Sequence, residues 1–278
     1  MGRSRLWNWR RMLLVLAGAY LFAGLGMWAF ERRITYQPNA ARTDPAVARL
    51  PRVKEQTLRT PDGQSLVVWR LQAQPGRPTI LFFHGNGDPL IYRSGRVGSY
   101  EAEGYGVYMM AYRGYSGSTG TPTETAIIAD ALLAYDALRS EGVPAEDIVI
   151  YGESLGTNVA LRTAIARPAA ALILEAPFTS MVAAWRQFAP LMPVGLILSD
   201  RFDSLGIIHQ LKMPLLIMHG SRDRLVSFQL GEQLFKTAPE PKRFEVFPAA
   251  GHMNLYDYNA IAAVRSFIAD VRAGRLGR

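Results

Sequence analysis

The chain has 278 residues, 49% of them hydrophobic and 19% charged, with a formal net charge of +8. That composition supports a sizeable core and excludes a disordered chain, and the length suits one large α/β domain. There is no cysteine, which excludes disulfides, thiolate chemistry and cysteine-based zinc sites without choosing a compartment.

The positive charge is concentrated at one end. Residues 1–40 hold Arg3, Arg5, Arg10, Arg11, Arg32 and Arg33 against one acid, Glu31. The body is nearly balanced and has no basic stripe interleaved with aromatics, so no nucleic-acid partner is expected. Between the arginine pairs, Met12 to Phe30 runs 19 residues without a charge. That is enough to cross a hydrocarbon core of about 30 Å at about 1.5 Å per residue. Trp7, Trp9 and Trp28 sit near its ends, where indole rings favour the interface. The expectation is a single-pass membrane anchor over residues 1–33, a connector over 34–54 and a globular domain over 55–278. A cleaved signal peptide, with Ala17-Gly18-Ala19 as its small-residue site, and a buried core helix are the other readings. The denser leading arginines favour the amino terminus inside and the globular part on the extracytoplasmic side.

Strands and helices then alternate. Gln56–Arg59, Ser65–Leu71 and Thr79–Phe83 read as strands, Arg96–Glu103 as a short helix, and Gly106–Tyr112 as a strand running into a Gly/Ser-rich loop. Thr123 opens a helix in which Ile127, Ile128, Ala131, Leu132, Tyr135 and Leu138 share a face. Ile148–Tyr151 and Ala171–Leu174 are continuously apolar strands, as burial on both faces requires. Leu155–Ala166 between them is a helix stopped by Pro168. Beyond an insertion come the strand Leu215–Met218, a helix around Gln229–Phe235, the strand Arg243–Phe247 and the helix Ala260–Arg272. This order predicts an α/β fold, a mostly parallel sheet of about eight strands covered by helices on both faces. Sites in such folds lie beyond the carboxyl ends of the strands.

At one such end stands Gly152-Glu153-Ser154-Leu155-Gly156. The G-x-S-x-G pattern alone is weak, but a buried strand enters it and a helix leaves it, as a nucleophile elbow needs. Ser116, in Gly114-Tyr115-Ser116-Gly117-Ser118, is a near miss with no helix beside it. A serine nucleophile needs a base, and the base an orienting acid. Of the four histidines, His252 lies between the final strand and the final helix; His219, His84 and His209 are worse placed. Asp223 follows the strand Leu215–Met218 and is the expected acid, ahead of Glu175 and Asp203. The backbone N–H groups of Leu155 and of Asn86, in His84-Gly85-Asn86-Gly87-Asp88, are the expected oxyanion donors. That loop fits neither a dinucleotide fingerprint nor a P-loop, and no cofactor or metal is expected.

Taken in order, His84-Gly85-Asn86-Gly87, Tyr112-Arg113-Gly114-Tyr115-Ser116-Gly117, Gly152-Glu153-Ser154-Leu155-Gly156, Glu175-Ala176-Pro177-Phe178, His219-Gly220-Ser221-Arg222-Asp223 and Gly251-His252 resemble the α/β-hydrolase superfamily. The nearer likeness is to its membrane-anchored abhydrolase-domain serine hydrolases, over about residues 55–272. The resemblance implies an α/β-hydrolase fold with residues 178–213 as a cap insertion. It also implies hydrolysis of esters or thioesters, with lysophospholipids and S-acylated proteins among the family's substrates. One departure is Gly87-Asp88-Pro89, where the family pattern has Ala-Gly-Asn. Trp185, Phe188, Met192 and Met253 are the expected pocket lining. A serine peptidase on the same scaffold and a catalytically silent anchored binding protein are the alternatives.

Overall fold

The computed structural model describes residues 2–276, with side chains from Trp9 onward; Trp7, Arg3 and Arg5 fall outside that side-chain description. Among the described residues there are eight strands: β1 Lys54–Arg59, β2 Ser65–Leu71, β3 Thr79–Phe83, β4 Gly106–Met110, β5 Ile148–Glu153, β6 Ala171–Glu175, β7 Leu215–Gly220 and β8 Lys242–Phe247. They form one sheet in the order β1-β2-β4-β3-β5-β6-β7-β8. β1 and β2 pair antiparallel, as do β2 and β4, and every other pairing is parallel. The fold is that of an α/β-hydrolase.

The strands read as continuously apolar are the central ones, and their residues are buried on both faces throughout β3 to β7. The edge strands β1 and β8 are only partly covered, which their charged residues tolerate. The helices after the first are α2 Ser94–Ala102, α3 Glu124–Ser140, α4 Gly156–Ala166, α5 Met181–Arg186, α6 Val194–Ile197, α7 Phe228–Thr237 and α8 Ala260–Arg272. The Thr123 hydroxyl caps α3 by accepting from Ala126 N. β4 stops two residues short of the expected Tyr112 because its backbone is diverted there. Ala111 N donates to Val67 O at 2.9 Å and Tyr112 N to His84 Nε2 at 3.1 Å.

The first helix, α1, spans Gly2–Thr35. Its stretch Trp9–Thr35 has a mean hydropathy of 1.9 with an apolar window unburied by the rest of the chain. It is long and apolar enough to cross a membrane. Residues 36–53 are built into the domain. Tyr36, Leu50 and Val53 are buried, the Tyr36 hydroxyl donates to Asp200 at 2.8 Å, and Ser116 N donates to Asn39 O at 2.8 Å.

Candidate active site

β5 delivers Ser154 to the carboxyl edge of the sheet, and Leu155 leads directly into α4. The turn is sharp enough to hold Ser154 at φ 50°, a left-handed conformation that costs a side-chain-bearing residue energy. The closeness of the packing explains the second glycine. A Cβ at Gly156 would lie 2.1 Å from Phe83 O, so only glycine lets α4 start against the end of β3. That contact draws the loop after β3 alongside the serine.

His252 stands in the loop after β8 and Asp223 just after β7. Gly220 makes their meeting possible: a Cβ there would lie 2.4 Å from Ala250 O. With none, the histidine loop lies directly on the end of β7, where Ser221 N donates to Phe247 O at 3.1 Å and Arg222 N to Ala250 O at 3.0 Å. His252 Nδ1 is 2.7 Å from Asp223 Oδ2, and His252 Nε2 is 2.9 Å from Ser154 Oγ. A carboxylate only accepts, so Nδ1 carries the proton and donates to Asp223. Nε2 is then free to accept from the serine hydroxyl.

Asp223 is buried, and its other oxygen accepts from Leu225 N and Val226 N at 2.8 Å each. Burial by itself would raise this carboxyl. The hydrogen bonds from His219 and His252 and the backbone outweigh it and hold the group well below the usual carboxylate range. His219 is a second neighbour of the acid: its Nε2 is 3.3 Å from Asp223 Oδ2 and 3.0 Å from Val226 O. Glu175 is spent elsewhere, accepting from Arg96 and from the Tyr151 hydroxyl. Asp203 accepts from Gly206 N within the insertion.

The loop after β3 is fixed by a neutral histidine. Burial first, and then the Arg93 charge, push His84 down to about 3. Its Nδ1–H donates to Gly85 O at 2.6 Å while Nε2 accepts from Tyr112 N. The Asn86 side chain is a junction. Its Oδ1 accepts from Gln37 N at 3.1 Å and from the Tyr115 hydroxyl at 2.5 Å, and its Nδ2 donates to Thr35 O at 2.8 Å. The Leu155 and Asn86 N–H groups have no backbone acceptor among the described residues.

A cavity of about 330 Å³ opens on Ser154, and its walls include Leu155, Asn86, Phe178, Met181, Trp185 and Phe188. Of the residues expected to line the pocket, Trp185 and Phe188 stand in this wall. Met192 and Met253 do not: Met192 packs against the core from the cap, and Met253 points outward, 55% exposed. The sequence reading also missed Ile34, Thr35 and Gln37, which line the cavity from the end of α1 and the segment after it. Aperiodic residues at the end of an apolar helix carry no signal for such a role. Among the described residues, no group of three or more His, Asp or Glu side chains could hold a metal ion.

A family model described as serine aminopeptidase, S33, matches residues 74–206 and 206–259. The chain is 34% identical over 242 residues to an uncharacterized protein of Mycobacterium tuberculosis, covering 86% of this chain and 85% of that one. It is 31% identical over 203 residues to the human alpha/beta hydrolase domain-containing protein 17B, covering 72% and 69%. Among solved structures, an esterase from Pyrococcus furiosus superposes with a TM-score of 0.69 at 18% identity, covering 86% of this chain and 97% of that one. With family matches of this extent and this sheet order, the chain belongs to the α/β-hydrolase superfamily and is a hydrolase.

Proposed function

We propose that the protein is a serine hydrolase that cleaves carboxylic esters or thioesters through an acyl-enzyme, acting on lipid-like acyl substrates beside a membrane that α1 anchors it to. The observation that carries this reading is the Asp223–His252–Ser154 hydrogen-bond chain, 2.7 and 2.9 Å long, ending at the floor of an apolar cavity. Ser154 Oγ attacks the acyl carbonyl as His252 Nε2 takes its proton, and ionised Asp223 stabilises the imidazolium. The oxyanion accepts from Leu155 N–H and Asn86 N–H, the first also at the positive end of α4. The carbonyl re-forms as the alcohol or thiol leaves with the proton from His252. Water, deprotonated by the same nitrogen, then releases the carboxylic acid and frees Ser154.

The peptidase reading draws on the description of the matching family model. An aminopeptidase must hold a substrate ammonium, and among the described residues the cavity wall contains no Asp or Glu; its apolar lining favours acyl chains instead. The denser arginines ahead of the uncharged run Met12 to Phe30 support a domain on the extracytoplasmic side, which a carboxyl-terminal reporter active only in the cytoplasm would contradict. The decisive test is labelling with a fluorophosphonate. Wild type reacts and Ser154→Ala does not; equal labelling of the two ends the assignment of Ser154, and no labelling of the wild type leaves a silent binding protein. Acyl esters of increasing chain length, run against small peptides, then separate esterase from peptidase.

A further inference from the structure

The cap carries an apolar tip that the domain leaves uncovered. From Gln187 to Ser199 there is no charged residue, while Arg186 precedes the run and Asp200 and Arg201 follow it. Within it Leu191 is 85% exposed and Leu196 86%, and Phe188 is exposed as well. Three large apolar side chains held out in one short segment are costly in water. The backbone of the tip is mostly turned in on itself. Phe188 N and Ala189 N donate to Trp185 O, Met192 N to Ala189 O, Val194 N to Met192 O, Leu196 N to Pro193 O and Leu198 N to Val194 O. Pro190 and Pro193 have no N–H to satisfy. A segment facing hydrocarbon needs that economy, because no water is there to take its donors.

The tip is also fastened to α1, and the residue just after α1 to the cap just beyond the tip. The Tyr20 hydroxyl donates to Leu191 O at 2.8 Å, and the Tyr36 hydroxyl donates to Asp200 Oδ2 at 2.8 Å. Tyr20 lies beside the middle of the uncharged run Met12 to Phe30. At about 1.5 Å per residue it is about 15 Å below Phe30 along the helix axis, roughly half the hydrocarbon thickness. With α1 inserted, the bond to Leu191 carries the tip into the same leaflet.

Resting on the reading of α1 as an anchor, we infer that the cap tip, through Leu191 and Leu196, is a second membrane contact, embedded in the acyl region of the leaflet that the domain faces. Arg186 and Arg201 mark its polar rim, the latter donating to Gly195 O at 2.9 Å. Phe188 both lines the cavity and is exposed, so the rim of the site is continuous with the embedded surface. An acyl chain enters the cavity from the lipid without crossing water.

The test uses the full-length chain in phosphatidylcholine vesicles. The native sequence has no cysteine, so Leu191→Cys and Leu196→Cys each take one environment-sensitive fluorophore. Leu16→Cys reports the helix. Ser140→Cys, exposed at the end of α3, reports the opposite edge of the sheet. Brominated lipids are expected to quench the labels at 16, 191 and 196, and aqueous iodide the label at 140. Quenching by bromolipid at 16 with iodide quenching at 191 and 196 overturns the embedded tip while leaving the anchor intact. Loss of bromolipid quenching at 16 too overturns both. Labels at 191 and 196 shielded from both quenchers mean that a second copy of the chain covers the tip, which also overturns it. In a second measurement, Leu191→Asp/Leu196→Asp should hydrolyse a short soluble ester within about twofold of wild type. It should lose on the order of tenfold or more against a long-chain ester embedded in the vesicles. Equal loss on both substrates contradicts lateral entry.

Discussion

Glu153, the residue before the proposed nucleophile, is buried at the paired register position beside Glu175. Two carboxylates side by side under the sheet edge are stable only because two arginines meet them. Arg93 donates to Glu153 through Nε at 3.2 Å and Nη2 at 2.8 Å. Arg96 lies 3.6 Å from Glu153 and 2.5 Å from Glu175. Arg93 also donates to Asp88 O at 2.9 Å, so this pair ties the loop bearing Asn86 to the turn bearing Ser154. Glu153→Gln leaves the Arg93 charge buried without its carboxylate. Breaking a buried pair from one side costs about 3–5 kcal/mol, a large share of the roughly 5–15 kcal/mol that holds a domain together. For a domain of this size that is a fall in Tm of roughly 6–20 °C.

The sign of the pH dependence follows from the same contacts. Burial alone would raise the Glu153 carboxyl, but the Arg93 and Arg96 charges outweigh it and hold the group at about 2. The folded value lies below the unfolded value of about 4.3. The pair's contribution is therefore fully present above that pH and is lost as pH falls towards 2. Thermal melts of wild type and Glu153→Gln should differ most at neutral pH and converge in acid. Arg93→Met/Glu153→Leu, which removes both charges, should recover at least half of the loss. A single variant that melts within about 2 °C of wild type at pH 7 would refute the reasoning. So would a double variant no better than the single one.

Three further experiments test the site. Asp223→Asn should lower kcat about 10⁴-fold by unsettling the His252 tautomer, whereas Glu175→Gln, whose partners are Arg96 and Tyr151, should cost far less per folded molecule; the reverse order in steady-state kinetics would reassign the acid. Ser154→Gly removes the side chain from a left-handed residue and should abolish activity while stabilising the fold by about 1 kcal/mol, seen as a higher Tm than that of Ser154→Ala. Gly220→Ala puts a Cβ into the Ala250 carbonyl and should shift His252 relative to Asp223. A displacement near 1 Å costs about 10²-fold in kcat, so near-normal kcat in a folded variant would show that the loop yields without harm.

Some parts of this site can be read from sequence because short-range sterics or topology dictate them. Gly152 and Gly156 flank Ser154 because a Cβ at either would strike backbone, and the order Ser154, Asp223, His252 follows the succession β5, β7, β8 along one edge. What stayed hidden depends on pairings between distant residues. Arg93 and Glu153 are 60 positions apart, and nothing local marks either as half of a buried ion pair. Met192 and Met253 are apolar and near the site in sequence, but the cap turns Met192 onto the core and the loop after β8 leaves Met253 in solvent. The residues between α1 and β1 carry no helical or strand period, yet Tyr36 is buried and Gln37 lines the cavity. The Asn86 side chain explains why. It holds Thr35 O on one side and Gln37 N on the other, while its own N–H is the proposed second oxyanion donor. The end of α1 is thereby attached to the loop that would stabilise the transition state, and the same helix is bonded to the cap over the cavity. The end of α1, the cavity wall and the proposed oxyanion loop are one mechanical unit, so on the proposed reading of α1 as an anchor its orientation in a bilayer would also set the direction from which an acyl carbonyl could reach Ser154.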